Sequence, residues 1–278
     1  MYFVLFMCLW ISSTTYAQDA SQDTLKLWQI QTLDDNEYIG KIIEINGEQL
    51  VLQTQNIGTI TLLIQSIRLM REINPKGIKH GQYWSEHPQS TRYFLAPTGH
   101  GLRKGEGYYQ NTWIFFNQAN IGLTDQISIG GGIFPAFLFL AGTVSSTVVW
   151  ITPKVSFPIK EDVFNLGIGG VGFVTIGSEN SSGSVLGYGV ATLGNRDKNI
   201  TLGLGSPGLV IVGGMLRTGT KGYLIMEGYF VQDLNLVLLG GRTVWSKISL
   251  DYGMLGSVSS FRTLVVAPWL GVAIPFGK

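Results

Sequence analysis

Charge is scarce in this sequence. Asp, Glu, Lys and Arg make up 13% of the 278 residues, against about 25% in an ordinary globular chain. The charges that are present nearly cancel, to +1, so the basic footprint of a nucleic-acid-binding protein is missing. Cysteine occurs once, as Cys8, inside a stretch that reads as a secretory signal peptide, Met1–Ala17. YFVLFMCLWI is its apolar region, and Thr15-Tyr16-Ala17 places small residues where cleavage requires them. The run is shorter than the ~20 residues of a spanning helix, and bulky Phe6 and Met7 before Cys8 exclude lipidation. The expected mature chain therefore has no disulfide and no thiolate chemistry. Histidine occurs three times, as His80, His87 and His100, with no clustered carboxylates, which leaves no set of metal ligands. No cofactor is expected.

Helical periodicity is also missing. In its place is the pattern of Asn195–Gly256, where short apolar segments alternate with the polar punctuation NRDKN, SPG, RTGTKG, VQDLN and WSK. Within a segment the period is two: Ile200, Leu202 and Leu204 alternate with Thr201, Gly203 and Gly205. Successive side chains of a strand point to opposite faces, so this is a strand signature. Glycine is abundant, and 32 of the 37 lie after residue 98, which suits a crowded barrel interior better than an open sheet.

The chain divides on these textures. Residues 18–36 are polar and read as a mobile mature terminus. Residues 37–73 carry about four short strands in the style of a small SH3-like or Sm-like module, with a hairpin at Asn46-Gly47 of the kind that takes positive φ at both positions. Lys41, Arg68 and Arg71 are balanced there by Glu44, Glu48 and Glu72, which argues against RNA and for a periplasmic protein or the cell wall as the contact. Residues 74–88 read as a linker. From residue 89 to 278 the sequence predicts an all-β, antiparallel up-and-down transmembrane β-barrel of about twelve strands, embedded in outer-membrane lipid. The expected strands are Thr91–Pro97, Tyr108–Leu123, Ile127–Leu140, Thr147–Ile159, Val163–Gly177, Ser184–Gly194, Asn199–Gly205, Gly208–Arg217, Gly222–Val231, Leu234–Val244, Lys247–Leu255 and Thr263–Phe276. Most approach the ~9–11 residues that cross a bilayer at a tilt, and even parity returns the C-terminus to the side of the N-terminus. Gln126–Thr152 lacks charge for over twenty residues, but Gly130-Gly131-Gly132, Pro135 and Thr147-Val148-Val149 argue against a membrane helix.

TRYFLAPTGHGLRKGEGYYQNTWIFFN (91–117), GLTDQISIGGG (122–132), ITPKVSFP (151–158), LGNRDKNITLGLG (193–205) and LLGGR (238–242) together resemble uncharacterised outer-membrane β-barrel proteins of Bacteroidota. The resemblance covers Thr91 to Phe276. It implies an outer-membrane location, often with a small β-module before the barrel, and implies no activity.

Chemistry-bearing motifs are few. Gly167–Gly172 matches G-x-G-x-x-G, but strand-like sequence lies on both sides and no helix follows, so the glycines read as barrel wall. A lipid hydrolase would need a His–Ser constellation; His100 and Glu106 share an expected surface loop, and no G-x-S-x-G elbow is present. Strand charge is more informative, because charge on a lipid-facing position costs roughly 2–4 kcal/mol near the midplane. By alternation Glu227, Arg242 and Asp251 face the lumen, with Arg217 on the preceding strand and Lys154 between Thr152 and Ser156. Two readings stay open for these five residues: a structural network joining Arg217, Glu227, Arg242 and Asp251, or a selectivity constriction for a small charged solute. Tyr108, Tyr109 and Trp113 at one end, and Trp245, Trp269 and Phe276 at the other, suit aromatic girdles. The expected function is a non-enzymatic outer-membrane barrel, either structural or binding, or a narrow small-solute channel. The alternatives are an outer-membrane lipid-modifying hydrolase and a soluble secreted β-barrel or sandwich with a small ligand.

Overall fold

The computed structural model describes residues 26–277 apart from 55, 74, 80, 85–86, 136–146, 178–181, 233, 246 and 260–262. The signal peptide reading, Cys8 and His80 fall outside the described residues. The chain forms two units, which meet in sequence between Tyr83 and Trp84.

The first unit is built on β1 (Leu27–Thr32), β2 (Glu37–Ile45), β3 (Gln49–Thr54), β4 (Thr59–Leu63) and β5 (Ile67–Ile73). They pair antiparallel in the order β4-β3-β2-β1-β5. Strand β1 corrects the expectation of a mobile terminus through residue 36. LWQIQT places Trp28 and Ile30 two apart, and Ile30 is fully buried with Leu50 and Leu52 while Trp28 packs against them. With β1 between β2 and β5 the sheet has five strands. The Asn46-Gly47 turn also differs from expectation, because neither residue has positive φ. Asn46 Oδ1 instead accepts the backbone N–H groups of Glu48 at 3.0 Å and Gln49 at 2.7 Å, a side-chain mimic of a backbone turn. A two-stranded hairpin, β6 (Ile78–Lys79) with β7 (Gln82–Tyr83), closes the unit within the expected linker.

The second unit is a closed barrel. Its wall runs through β8 (Gly107–Thr112), β9 (Phe116–Gly122), β10 (Ile127–Phe134), β11 (Thr147–Ile151), β12 (Lys154–Lys160), β13 (Phe164–Ile176), β14 (Gly183–Gly194), β15 (Lys198–Gly205), β16 (Leu209–Arg217), β17 (Gly222–Val231), β18 (Leu234–Val244), β19 (Ser249–Ser259) and β20 (Thr263–Phe276). β11 and β12 share one wall position, since both lie between β10 and β13. The ladder continues across their junction: Thr152 and Gly130 exchange backbone hydrogen bonds at 2.8 and 3.1 Å, and Gly170 N donates to Pro153 O at 3.0 Å. Pro153 only removes a donor there. β20 pairs with β8, from Gly271 opposite Thr112 to Phe276 opposite Gly107, and closes a ring of twelve antiparallel strands.

Two features of the wall correct the expected strands. Thr91–Pro97 is not a wall strand; it lies inside the barrel. Tyr108–Leu123 is not one strand but the β8–β9 hairpin, which turns at Trp113 and Ile114 with φ of 51° and 67°. The two errors cancel in the strand count. A Trp-Ile pair at positive φ carries no turn signal, because side chains other than Gly, Asn and Asp seldom adopt it. The turn is held from outside itself: Trp113 Nε1 donates to Pro268 O at 2.8 Å, Trp113 N to Leu270 O at 3.0 Å, and Asn111 Nδ2 to Ile114 O at 3.0 Å.

Side chains alternate along the wall. On β15 Ile200, Leu202 and Leu204 are 62, 60 and 67% exposed on the outer surface, while Asn199 and Thr201 are buried inside. On β17 Leu224 and Met226 face outward, and Tyr223, Ile225 and Glu227 are buried. The aromatic girdle needs correction too. Tyr108 and Trp269 are buried in the lumen, and Tyr109 sits opposite Ile274, at the same end of the barrel as Phe276. Because β8 starts where β20 ends, Tyr109 cannot mark the opposite rim. No described helix is long and apolar enough to cross a membrane, which says nothing of strands.

Candidate functional site

The lumen is occupied by the chain's own residues 87–102. Tyr93, Phe94 and Ala96 are fully buried and form the barrel's core with Ile211, Ile225, Leu238 and Trp269. The segment folds back on itself. Thr98 N donates to Thr91 O at 3.0 Å and Tyr93 N to Ala96 O at 2.9 Å, with a bridge between Arg92 and Pro97. A short apolar run between turn signals resembles a strand in sequence; here its backbone pairs with itself and with side chains of the wall. A glycine on each side, one in the wall and one in the plug, makes room for the contact. A Cβ at Gly213 would collide with the ring of Tyr93, and one at Gly99 would collide with the backbone carbonyl of Asn165.

The charged residues of the wall supply what a buried loop backbone lacks. Glu227 accepts three successive amides at the tip of the plug: Phe94 N at 2.9 Å, Leu95 N at 3.1 Å and Ala96 N at 3.0 Å. Successive N–H groups in a turn make a concave anion site, and a carboxylate of the wall fills it. Arg242 does the converse, donating to the carbonyls of Gln89 at 3.2 Å and Tyr93 at 2.5 Å. Its guanidinium also grips Asp251 through Nε at 2.5 Å and Nη2 at 2.8 Å. Asp251 accepts a second guanidinium from the plug, Arg92 Nη1 at 3.0 Å. Arg92 further donates to the carbonyls of Tyr93 and Phe94 and lies 5.3 Å over the ring of Tyr108. Two buried guanidiniums thus share one buried carboxylate and the carbonyls of the plug, and such pairing is the condition for keeping charge there.

The five sequence-identified residues all turn inward, but they do not form one network among themselves. Arg242 and Asp251 are joined. No hydrogen bond or ion pair joins Glu227 to Arg242 among the described residues; both bind the plug instead. Arg217 stands apart, paired with Asp197 at 3.1 Å, donating to Thr220 O at 2.6 Å and lying 4.8 Å over Trp84. Lys154 Nζ donates to His100 O at 2.6 Å and Thr91 O at 3.4 Å, both in the plug. Sequence reasoning missed the plug's own contributors. Arg92 lay in an expected strand, and Arg196, which donates to Ser90 Oγ at 2.8 Å and Gly101 O at 2.9 Å, lay in an expected turn. Tyr93 also went unremarked; its hydroxyl bonds Asn199 and Thr201, both at 2.7 Å. A lone arginine at the head of the apolar run Tyr93–Ala96 was the available signal, since such a charge demands a partner.

The histidines belong to the plug as well. His100 is buried rather than in a surface loop, and Glu106 bonds Arg103 instead. Burial, followed by the nearby Arg196 and Lys154 charges, pulls His100 down to about 4. Burial and then Arg242 and Arg92 push His87 well below the usual histidine range. Among the described residues neither histidine hydrogen-bonds a serine hydroxyl or a carboxylate, and no group of three His, Cys, Asp or Glu could hold a metal. Gly167, Gly169, Gly170 and Gly172 all lie within β13.

Beside the plug a cavity of about 530 Å³ runs along the lumen. Phe134, Trp150, Phe173, Leu186, Tyr188 and Leu209 line it from the wall, and Leu95 and Pro97 line it from the plug. Its polar lining includes Arg92, Asn120 and Lys154. No protein-family model, curated protein or solved structure matches this chain.

Proposed function

We propose that this chain is an outer-membrane β-barrel protein, of the kind suggested by its resemblance to the Bacteroidota barrels, that binds or holds rather than conducts. The observation that carries the reading is the outer surface of the closed ring. Ile200, Leu202 and Leu204 on β15, Leu239 on β18, Met254 on β19 and Leu270 on β20 are each half or more exposed, and Leu216, Leu224 and Met226 continue the outer apolar face across β16 and β17 between them. A continuous apolar surface of this kind marks contact with a membrane or a partner. Pairing of β20 with β8 also removes the two free edge strands that an open sheet would expose, in line with the need of a strand-built protein in lipid to close on itself. Strands β13 to β20 have 8 to 14 residues, near the ~9–11 that span the hydrocarbon layer at a tilt.

The plug favours binding over passage. A selectivity ring needs charges that face water and solute, whereas Glu227 binds the amides of the plug, Arg242 and Asp251 pair with each other and with the plug, and Lys154 is held against two plug carbonyls. The N-terminal module, on this reading, stands on the periplasmic side and is free to contact protein or cell wall. Fractionation tests the proposal: the mature chain is expected in the outer-membrane fraction, soluble only with detergent, and faster in SDS gels unheated than boiled. Recovery from the periplasm without detergent would overturn it.

A further inference from the structure

We infer that the lumenal cavity is a binding site for an anionic single-chain amphiphile, with the tail among Phe134, Trp150, Phe173 and Leu186 and the head at Lys154, Arg92 and Asn120. The inference deepens the binding reading above and rests on it for the source of the ligand.

The cavity's volume of about 530 Å³ falls in the range of pockets that enclose a small organic ligand. Its chemistry is divided along its length. At the level of β10's end, Phe116 stacks on Phe134 with ring centroids 4.8 Å apart, and Trp150 stands beside them. Leu95, which is 52% exposed although it belongs to the buried plug, adds apolar surface to the same space. An alkyl chain would gain from all of these contacts, whereas water would gain from few of them.

The other end offers donors. Asn120 Oδ1 accepts from Gln118 Nε2 at 3.1 Å and Thr152 Oγ1 at 3.3 Å, but Asn120 Nδ2 is buried with no partner in the protein. Arg92 Nε is likewise buried without one. Lys154 is 8% exposed and bonds only two backbone carbonyls; among the described residues no carboxylate pairs with it. A buried ammonium without a counter-ion is costly, and unpaired buried donors each cost free energy as well. All three side chains line the cavity, and all three have donors and no acceptor to spare. A carboxylate or phosphate head would satisfy them together through charge-assisted hydrogen bonds. A cationic head or a hydroxyl donor would not.

The test uses the full mature chain in phosphatidylcholine nanodiscs, titrated with dibrominated octadecanoic acid and with its methyl ester, reading tryptophan quenching. The acid is expected to quench saturably, and Trp150→Phe to remove a large share of that signal. Lys154→Met is expected to weaken the acid by about tenfold or more, with the ester weak and unchanged. Heat-modifiable migration in SDS gels verifies that each variant is folded. If Lys154→Met does not fold, Asn120→Leu removes a head-group donor and Leu186→Trp fills the tail site, and each is expected to weaken the acid. Absence of saturable quenching in the folded chain overturns the proposal. So does equal binding of acid and ester with no response to these substitutions. A chain found in the soluble fraction that still binds the acid would sink the membrane reading and leave the site standing.

Discussion

Arg242 and Asp251 stand directly opposite one another on β18 and β19, and their side chains meet in a two-point ion pair that the plug residue Arg92 completes from within the lumen. Asp251 is the only carboxylate serving both guanidiniums among the described residues. Asp251→Asn is therefore expected to leave two buried cations without compensation, at a cost of ~3–5 kcal/mol. Arg92→Met should cost less, and the double change less than the sum of the two, because removing one cation relieves what Asp251→Asn exposed. The midpoint of heat modifiability for the four proteins measures this. Additive losses would show that the three side chains do not act as a unit.

Glu227 makes a separable claim. Glu227→Gln keeps one acceptor but turns an NH₂ group toward the amides of Phe94, Leu95 and Ala96. Those amides are expected to exchange with solvent faster than in the parent, while amides of β17 and β18 stay protected. Uniform exchange rates across both proteins would mean that the tip of the plug is held by packing alone.

The plug as a closure gives a conductance prediction. The intact chain in planar bilayers is expected to pass little steady current. Deletion of residues 89–101, bridged by a flexible glycine–serine link, should open a lumen lined by Glu227, Arg242, Asp251 and Lys154 and raise conductance. Equal currents with and without the segment would refute the idea that it blocks the way through.

Gly213 and Tyr93 offer a steric test. Gly213→Ala places a methyl against the Tyr93 ring, and overpacking of this kind typically costs ~1–3 kcal/mol. Combining it with Tyr93→Ala should recover part of that loss, although the hydroxyl's bonds to Asn199 and Thr201 are gone. No recovery in the double variant would place the cost elsewhere.

The histidines set an acid limit. Both His87 and His100 are held below the ordinary value, His100 at about 4. Above the unfolded value of about 6.5 both states are neutral and pH has no effect. As pH falls below it, the unfolded chain takes up protons that the folded plug refuses, so stability declines until the folded value of His100 is passed. Thermal midpoints are expected to fall between pH 6.5 and pH 4, and His100→Gln should flatten part of that slope. A flat profile over this interval would exclude burial of the neutral imidazoles.

Much of the wall was legible because alternation survives any detail of packing. Leu224, Met226 and Phe230 mark the outer face of β17 by period two alone, and Glu227 follows. The plug was not legible, because Thr91–Pro97 has the length and apolar content of a strand, and only its partners reveal otherwise. The β8–β9 turn was invisible for a different reason: Trp113 at positive φ is held by bonds to β20 and Ile114 by one from Asn111, and no local preference records that. The role of the wall charges was half legible. Alternation gives the face, but the partner of Glu227 is backbone, and a run of amides has no signature in side-chain sequence.

The perimeter of the barrel is uneven. β8 has six residues and β9 seven, whereas their neighbour β20 has 14, and the hairpin stops where Trp113 meets Leu270 and Pro268. Pro268 sits on the stretch of β20 that the hairpin leaves bare, where a missing N–H does no harm. In a bilayer the hydrocarbon layer would meet a tall wall on one side and a low one here, and lipid must thin or the barrel must lean to accommodate the step. The low side lies beside Phe116 and Phe134. Acyl chains would be most disordered next to the aromatic end of the cavity, which makes that flank the shortest way out of the bilayer and into the protein.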